Sequence, residues 1–128
     1  MRTLDTNIVL RYIWKDVPGQ REKVEKLLDE ENSMFYIPDF VVSEVIFNLQ
    51  QSNLRRSSIV GTLYELAERK NIEINSFVMD TVLPFFAEHP ALSFVDCYAA
   101  FEAEKKGRAP LLTFDRKLVN QHQSVRMV

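Results

Sequence analysis

Thr3-Leu4-Asp5-Thr6-Asn7-Ile8 ends a short apolar run at Asp5 and begins a helix-like stretch immediately after it. The same change of pattern occurs near the other end of the chain, where an apolar strand from Pro110 to Phe114 stops just before Asp115. Further strand-like and helix-like segments alternate between these two points. Such alternation predicts a three-layer α/β/α fold, with a mostly parallel central sheet of four to five strands and helices on both faces.

The individual elements follow from apolar periodicity and from turn residues. Gly107 is expected to end the most regular helix, and Pro84 is placed to kink another. Five strands are predicted. The first ends at Asp5, and the others cover residues 34–37, 72–74, 110–114 and 125–127, the last of them weak. The predicted helices cover residues 6 to about 15, 18 to about 30, 40–51, 56–70, 79–87 and 93–106, followed by a short one after Asp115.

Composition indicates an ordinary globular protein in which residues 1–128 form a single domain. The chain is 46% hydrophobic and 27% charged, with a formal net charge of −2. This near-neutral charge neither indicates nor excludes a nucleic-acid partner, because an acidic cluster would offset basic residues in the sum. A single Cys97, no membrane-length apolar run and no signal-peptide pattern together predict a cytoplasmic protein without membrane contact.

Four acidic residues stand at the edges of apolar runs or inside them: Asp5, Glu44, Asp96 and Asp115. A carboxylate in such a place is costly unless it is paired, hydrogen-bonded or bound to a cation. Asp5 and Asp115 follow predicted parallel strands, and ligands of such sheets bind outside the carboxyl ends of the strands. We therefore expect one crevice that gathers these carboxylates around a divalent metal ion.

Each of these carboxylates except Glu44 also has a purely structural interpretation. Asp5 and Asp115 are suitable helix N-caps, which accept hydrogen bonds from backbone N–H groups two or three residues further on. Ser93 and Asp96 have the spacing of a capping box, with Asp96 reaching back to the cap. Glu44 lies a full turn inside its helix, so capping does not account for it.

The helix that contains Glu44 is apolar on two sides. Its valine and isoleucine residues form one stripe, whereas Phe40 and Phe47 lie nearly opposite that stripe. A helix of this kind is usually buried between layers or forms a subunit contact. We expect a homodimer contact at Phe40 and Phe47.

Four motifs in order resemble a PIN domain and, more narrowly, the VapC-type toxins of bacterial and archaeal toxin–antitoxin pairs. They are Leu4-Asp5-Thr6-Asn7, Ile37-Pro38 with Val42-Ser43-Glu44, Ser93 to Ala100, and Leu112 to Leu118. The first motif alone would be weak evidence. The four together are strong, and with the total length they extend the resemblance over essentially the whole chain.

The resemblance implies a metal-dependent endoribonuclease that hydrolyses RNA phosphodiesters and leaves 5′-phosphate and 3′-hydroxyl ends. It implies one or two Mg²⁺ or Mn²⁺ ions, for which carboxylate oxygens are suitable ligands. It also implies an RNA substrate and a small antitoxin protein that blocks the cleft with a basic side chain. Carried over by position, the catalytic and metal-binding residues are Asp5, Glu44, Asp96 and Asp115, with Asn7, Thr113, Thr6 and Ser43 orienting ligands or water around them.

Two alternatives to a ribonuclease stay open. A PIN scaffold that binds RNA or protein without cutting would be expected to lack one of the carboxylates, and a DNA-directed nuclease could use the same site. Phosphoryl transfer through an aspartate fits poorly. A haloacid-dehalogenase-type phosphatase would need an aspartate where Asn7 stands, and a response-regulator receiver would need one near Arg55 and Arg56.

Overall fold

The computed structural model describes residues 1–14 and 17–128, without the side chain of Pro18. The chain divides into two compact units, Met1–Asn75 and Ser76–Val128. Lys15, near which the first helix was predicted to end, lies outside the described residues. That residues 1–128 form one domain stays a prediction.

The first unit contains a parallel sheet of three strands in the order β1-β2-β3. Its register pairs Arg2 with Phe35, and Phe35 in turn with Ile72. Helices connect the strands, as parallel pairing requires a crossover between neighbours. In chain order the elements are β1 (Arg2–Thr3), α1 (Thr6–Ile13), α2 (Pro18–Leu28), β2 (Phe35–Ile37), α3 (Asp39–Gln51), α4 (Arg56–Ala67) and β3 (Ile72–Ile74).

The core of the first unit depends most clearly on α3. Its apolar residues recur with helical spacing, so they form one stripe that is removed from water. Each such side chain contributes about 1.5–3 kcal/mol when it is fully buried. At most 1% of the surface of any stripe residue is exposed, and the stripe consists of Val41, Val42, Val45, Ile46 and Leu49.

The second unit contains a two-stranded parallel sheet and four helical segments. The longest helix ends in a Schellman motif, in which Arg108 N–H donates to Ala103 O at 2.7 Å and Gly107 N–H donates to Glu104 O at 3.2 Å. Gly107 has a positive φ of 67°, which glycine adopts without a Cβ clash. The elements are a π-helical segment (Val78–Val82), α5 (Leu83–Glu88), α6 (Phe94–Lys105), β4 (Leu111–Thr113), α7 (Arg116–Gln121) and β5 (Val125–Met127).

The predicted α/β class is confirmed, since all five strands form and every strand pair is parallel. The first sheet, however, has three strands rather than four to five, and β4 pairs with β5 in the second unit. The helix predicted for residues 79–87 forms, but its hydrogen bonding changes along its length. It begins as a π-helical turn, and α-helical hydrogen bonding starts only at Leu83, next to Pro84. Within the described residues, no helix has the length and apolar character needed to span a bilayer.

Candidate active site

Asp5 is the N-cap of α1. Its backbone is extended, with φ −82° and ψ 164°, and its Oδ1 accepts a hydrogen bond from Thr6 N–H at 2.8 Å. Asp5 is exposed. Asp5 thus occupies the predicted N-cap position, but its donor is the next residue rather than one two or three further on, and only one carboxylate oxygen is used. Because each carboxylate oxygen carries two lone pairs, capping leaves capacity for a further ligand.

Thr6 connects Asp5 to Glu44. The Thr6 hydroxyl donates a hydrogen bond of 2.5 Å to Oε2 of Glu44, which is 38 residues away in sequence. Thr6 is 7% exposed, whereas Glu44 is exposed on the outer side of α3. The contact arises because α1 packs against α3, so the first turn of one helix meets the second turn of the other. One buried residue therefore contacts two predicted catalytic carboxylates, through its N–H and through its hydroxyl.

In the second unit, Asp115 is the N-cap of α7. Its Oδ1 accepts hydrogen bonds from Lys117 N–H at 2.9 Å and from Leu118 N–H at 3.4 Å. Thr113, the last residue of β4, accepts a hydrogen bond from Asp115 N–H through its hydroxyl at 3.0 Å. The strand end, the Thr113 hydroxyl and the helix start together fix the backbone of Asp115 and direct one carboxylate oxygen into the cap.

Asp96 is the third residue of α6, and only half of the predicted capping box is present. Ser93 caps the helix by accepting a hydrogen bond from Asp96 N–H at 3.1 Å. In the part of the chain that the structure describes, the Asp96 carboxylate accepts no hydrogen bond in return. Asp96 is half-buried, while α6 buries Phe94, Cys97 and Ala100. Its carboxylate therefore makes no capping hydrogen bond, although its charge in the first turn favours the helix dipole.

The four carboxylates share two properties that bear on metal binding. Within residues 1–14 and 17–128, none forms an ion pair with a lysine, arginine or histidine. Each also keeps at least one oxygen that accepts no hydrogen bond from the described chain. Hard, anionic and unsatisfied oxygens are the donors that Mg²⁺ and Mn²⁺ prefer, so these residues fit such an ion by their chemistry. Over the same described residues, no group of three or more acidic, histidine or cysteine side chains is arranged to hold a metal.

The remaining predicted residues differ in what they contact. Thr6 and Thr113 make the hydrogen bonds given above, whereas the side chains of Asn7 and Ser43 form none with the described chain. Of these four residues, Thr6 makes the most direct contacts with the acidic set. Its position directly after an N-cap aspartate, at the start of an amphipathic helix, is the sequence signal that indicates burial beside that carboxylate.

Comparison with known families gives one clear result. The family model described as the PIN domain matches residues 3–121, a range that includes every carboxylate discussed above. A search of curated proteins gives no match. The matched range extends from β1 to the last residue of α7, so the match covers most of both units and indicates a nuclease-type fold.

Proposed function

The chain belongs to the PIN domain family, and from this membership we propose that it is a metal-dependent endoribonuclease that acts as the toxin of a toxin–antitoxin pair. The observation that carries the proposal is the state of the acidic set. All four carboxylates are present, none is neutralised by a basic side chain of the described chain, and each has an oxygen to offer a cation. Carboxylates that share one site repel one another, so they are expected to require a cation there.

The proposed division of labour follows from the hydrogen bonds of each residue. Asp5, Glu44, Asp96 and Asp115 would hold one or two Mg²⁺ or Mn²⁺ ions. A bound ion of this kind supplies an activated water and offsets charge on the leaving 3′-oxygen of the phosphodiester. Thr6 restrains Glu44 by donating to Oε2 and so leaves Oε1 for coordination. The Thr113 hydroxyl orients Asp115 by accepting a hydrogen bond from the backbone N–H of Asp115. Asn7 follows Thr6 in the sequence, and Ser43 precedes Glu44.

Exposed apolar surface supports the proposed homodimer. Phe40 and Phe47 are 64% and 61% exposed, and each lies about one helical turn from Glu44 on the outer side of α3. Large exposed aromatic side chains are enriched at protein contacts. We propose that a second copy of the chain covers them. A small antitoxin would then neutralise the carboxylates with a basic side chain.

Two alternatives, a scaffold that does not cut and a nuclease that cuts DNA, make predictions that differ from those of this proposal. A scaffold that binds RNA or protein without cutting does not require four carboxylates with unsatisfied oxygens. A DNA-directed nuclease would use the same residues, because metal-assisted hydrolysis of a phosphodiester does not depend on the 2′-hydroxyl. Substrate comparison therefore has to accompany any test of activity.

The test is cleavage of end-labelled RNAs and of single-stranded DNAs of the same sequences, with Mn²⁺, with Mg²⁺ and with EDTA. Asp5→Asn is the test variant, and Asp80→Asn is the matched control, since Asp80 is exposed and lies outside the acidic set. We expect metal-dependent cutting of RNA by the wild type and the control, with a loss of about 100-fold in Asp5→Asn, the upper end of the loss caused by removing a residue that orients a metal ligand. Cutting that persists in EDTA or in Asp5→Asn would refute the assignment, and preferential cutting of DNA would favour the second alternative.

Metal binding is tested separately from cleavage by thermal unfolding. Mn²⁺ should raise the melting temperature of the wild type, because a ligand that binds only the folded state stabilises it. Asp96→Asn should lose much of this increase. An equal increase in wild type and variant would show that Asp96 is not a ligand.

A further inference from the structure

A small groove of about 240 Å³ runs between α1 and α2 within the first unit. It begins two residues beyond Asp5, on the same helix that Asp5 caps. Its lining residues come in equal number from the two helices and are Asn7, Ile8, Arg11, Gln20, Lys23 and Val24. The groove thus extends along α1 away from a predicted catalytic carboxylate.

The polar lining of the groove is basic and rich in donors. Asn7 and Arg11 lie on one face of α1, four residues and about 6 Å apart along the axis. The Arg11 Nε–H donates a hydrogen bond to the side-chain oxygen of Gln20, which holds the guanidinium against α2. Among the described residues, no carboxylate lines the groove. Donors and positive charge, in a described lining that contains no carboxylate, are surroundings that suit an anion.

Lys23 is the groove residue whose charge is most clearly available to a ligand. Its side chain is exposed, and it makes no ion pair or hydrogen bond with the described chain. By contrast, Arg21 on the same helix is engaged with Glu25. The positive charge of Lys23 therefore faces the groove without any compensation from the described chain.

The apolar part of the lining indicates which class of anion the groove would bind. Ile8 is half-buried and Val24 is 5% exposed, so the groove offers aliphatic surface beside its cationic rim. A single-stranded nucleic acid presents matching features, since charged phosphates alternate with sugars that have apolar faces. A positively charged groove that follows the backbone is the usual way in which proteins hold single strands.

We propose that this groove holds the RNA backbone next to the cleavage site, with Arg11 and Lys23 binding phosphates. The proposal rests on the proposed ribonuclease function and adds the path by which the substrate strand leaves Asp5. Asn7 lies between the two regions, so its amide is placed to contact the strand at the mouth of the groove.

The test measures RNA binding without cleavage. The affinity of a fluorescein-labelled oligouridylate is measured by fluorescence anisotropy as salt is varied, in the Asp5→Asn background with EDTA present. Lys23→Gln is the test variant, because Lys23 has no contact that the fold requires. Lys26→Gln is the matched control, since Lys26 is an exposed lysine of α2 that does not line the groove.

The expected effect follows from counterion release. Each phosphate contact to a single strand contributes about 0.7 to the slope of log affinity against log salt, which corresponds to about fivefold in affinity at 0.1 M salt relative to 1 M. Lys23→Gln should therefore weaken binding about fivefold at 0.1 M salt and reduce the slope by about 0.7. Lys23→Arg should restore both, and Lys26→Gln should change neither by more than a small fraction of this.

Equal behaviour of Lys23→Gln and Lys26→Gln would overturn the proposal, as would the absence of RNA binding in the parent protein. These results are distinguishable from failure of the proposed function, which is judged by cleavage in the wild type. A protein that binds through Lys23 but never cuts RNA would retain the groove and lose the nuclease assignment. Loss of cutting in Asp5→Asn together with unchanged binding in Lys23→Gln would retain the nuclease and refute the groove.

Discussion

Replacing Thr6 by valine removes one hydroxyl group and keeps the shape of the side chain. The lost interaction is the 2.5 Å hydrogen bond to Oε2 of Glu44. A hydrogen bond to a charged group contributes about 1.5–3 kcal/mol to stability. Because Glu44 is exposed, water replaces the lost donor, and the new methyl group is buried at a position that is 7% exposed. We therefore expect Thr6→Val to lower the free energy of unfolding by no more than about 1.5 kcal/mol, the lower end of that range.

The effect on cleavage should be larger than the effect on stability. Without the hydroxyl, the Glu44 side chain can take other rotamers, so its oxygens are no longer held for a metal ion. Residues that orient metal ligands typically contribute about 10–100-fold to metal affinity or activity. We expect a loss of this size in the cleavage rate, with a matching rise in the Mn²⁺ concentration needed for half-maximal activity.

The assay pairs RNA cleavage across a Mn²⁺ titration with urea unfolding of the same samples. Thr3→Val is the matched control, because Thr3 is exposed on β1 and its side chain makes no hydrogen bond with the described chain. Thr6→Ser retains the hydroxyl and should recover most of the activity. The reasoning is refuted if Thr6→Val cuts RNA as fast as the wild type. It is also refuted if Thr6→Ser is as inactive as Thr6→Val, since the hydroxyl would then not be the cause.

Three further predictions concern the helix end, pH and assembly. Gly107→Ala should destabilise the protein by about 1–2 kcal/mol, because alanine is strained at the positive φ of 67°. Gly61→Ala, in the interior of α4 with no atom within 4 Å of the added Cβ, should instead stabilise it by about 0.5–1 kcal/mol, and equal shifts of the two urea midpoints would contradict this. Burial lowers the pKa of His122 below its ordinary value of 6.5, and the nearby Glu104 carboxylate, which raises this pKa, offsets only part of the effect. The unfolded chain therefore takes up the proton first, so the stability due to neutral His122 is complete above pH 6.5 and declines as the pH falls towards the folded pKa. Urea unfolding of His122→Asn should show a shallower decline below pH 6.5 than the wild type, and parallel curves would exclude this cause. Phe47→Glu should convert a dimer to a monomer in light scattering, and an unchanged mass would count against the proposed contact at Phe47.

Local sequence pattern was sufficient for most of the secondary structure. Every predicted strand and helix forms, and Gly107 ends α6 as expected. These features depend on neighbouring residues, through apolar periodicity and through backbone conformations that glycine tolerates. The π-helical turn at Val78–Val82 was not predicted, because apolar spacing over five residues does not distinguish it from an α-helical turn. The number of strands in the first sheet was also missed, since strand pairing is decided between distant segments.

For the candidate site, the sequence identified residue types and their places on the elements. That Asp5 and Asp115 occupy N-cap positions follows from the residue type at the start of a helix, and both positions are confirmed. The predicted hydrogen bonds to residues two or three further on form at Asp115, whereas Asp5 accepts its bond from the next residue, Thr6. The joint role of the four carboxylates in holding metal stays a prediction. The contact of Thr6 with Glu44 was not predicted, because Glu44 lies in another helix and no pattern within α1 indicates it.

The sequence by itself determined the elements of this protein and its acidic motifs, because both follow from interactions or spacings over a few residues. Only the tertiary structure decided that the Thr6 hydroxyl donates to Glu44 across 38 residues, and that Arg11 and Lys23 line one groove. Each of these contacts requires two helices to pack at a particular distance and rotation. Packing of that kind is set by the buried side chains of the whole unit, such as the apolar stripe of α3, and the residues that meet carry no sign of it in their own sequence.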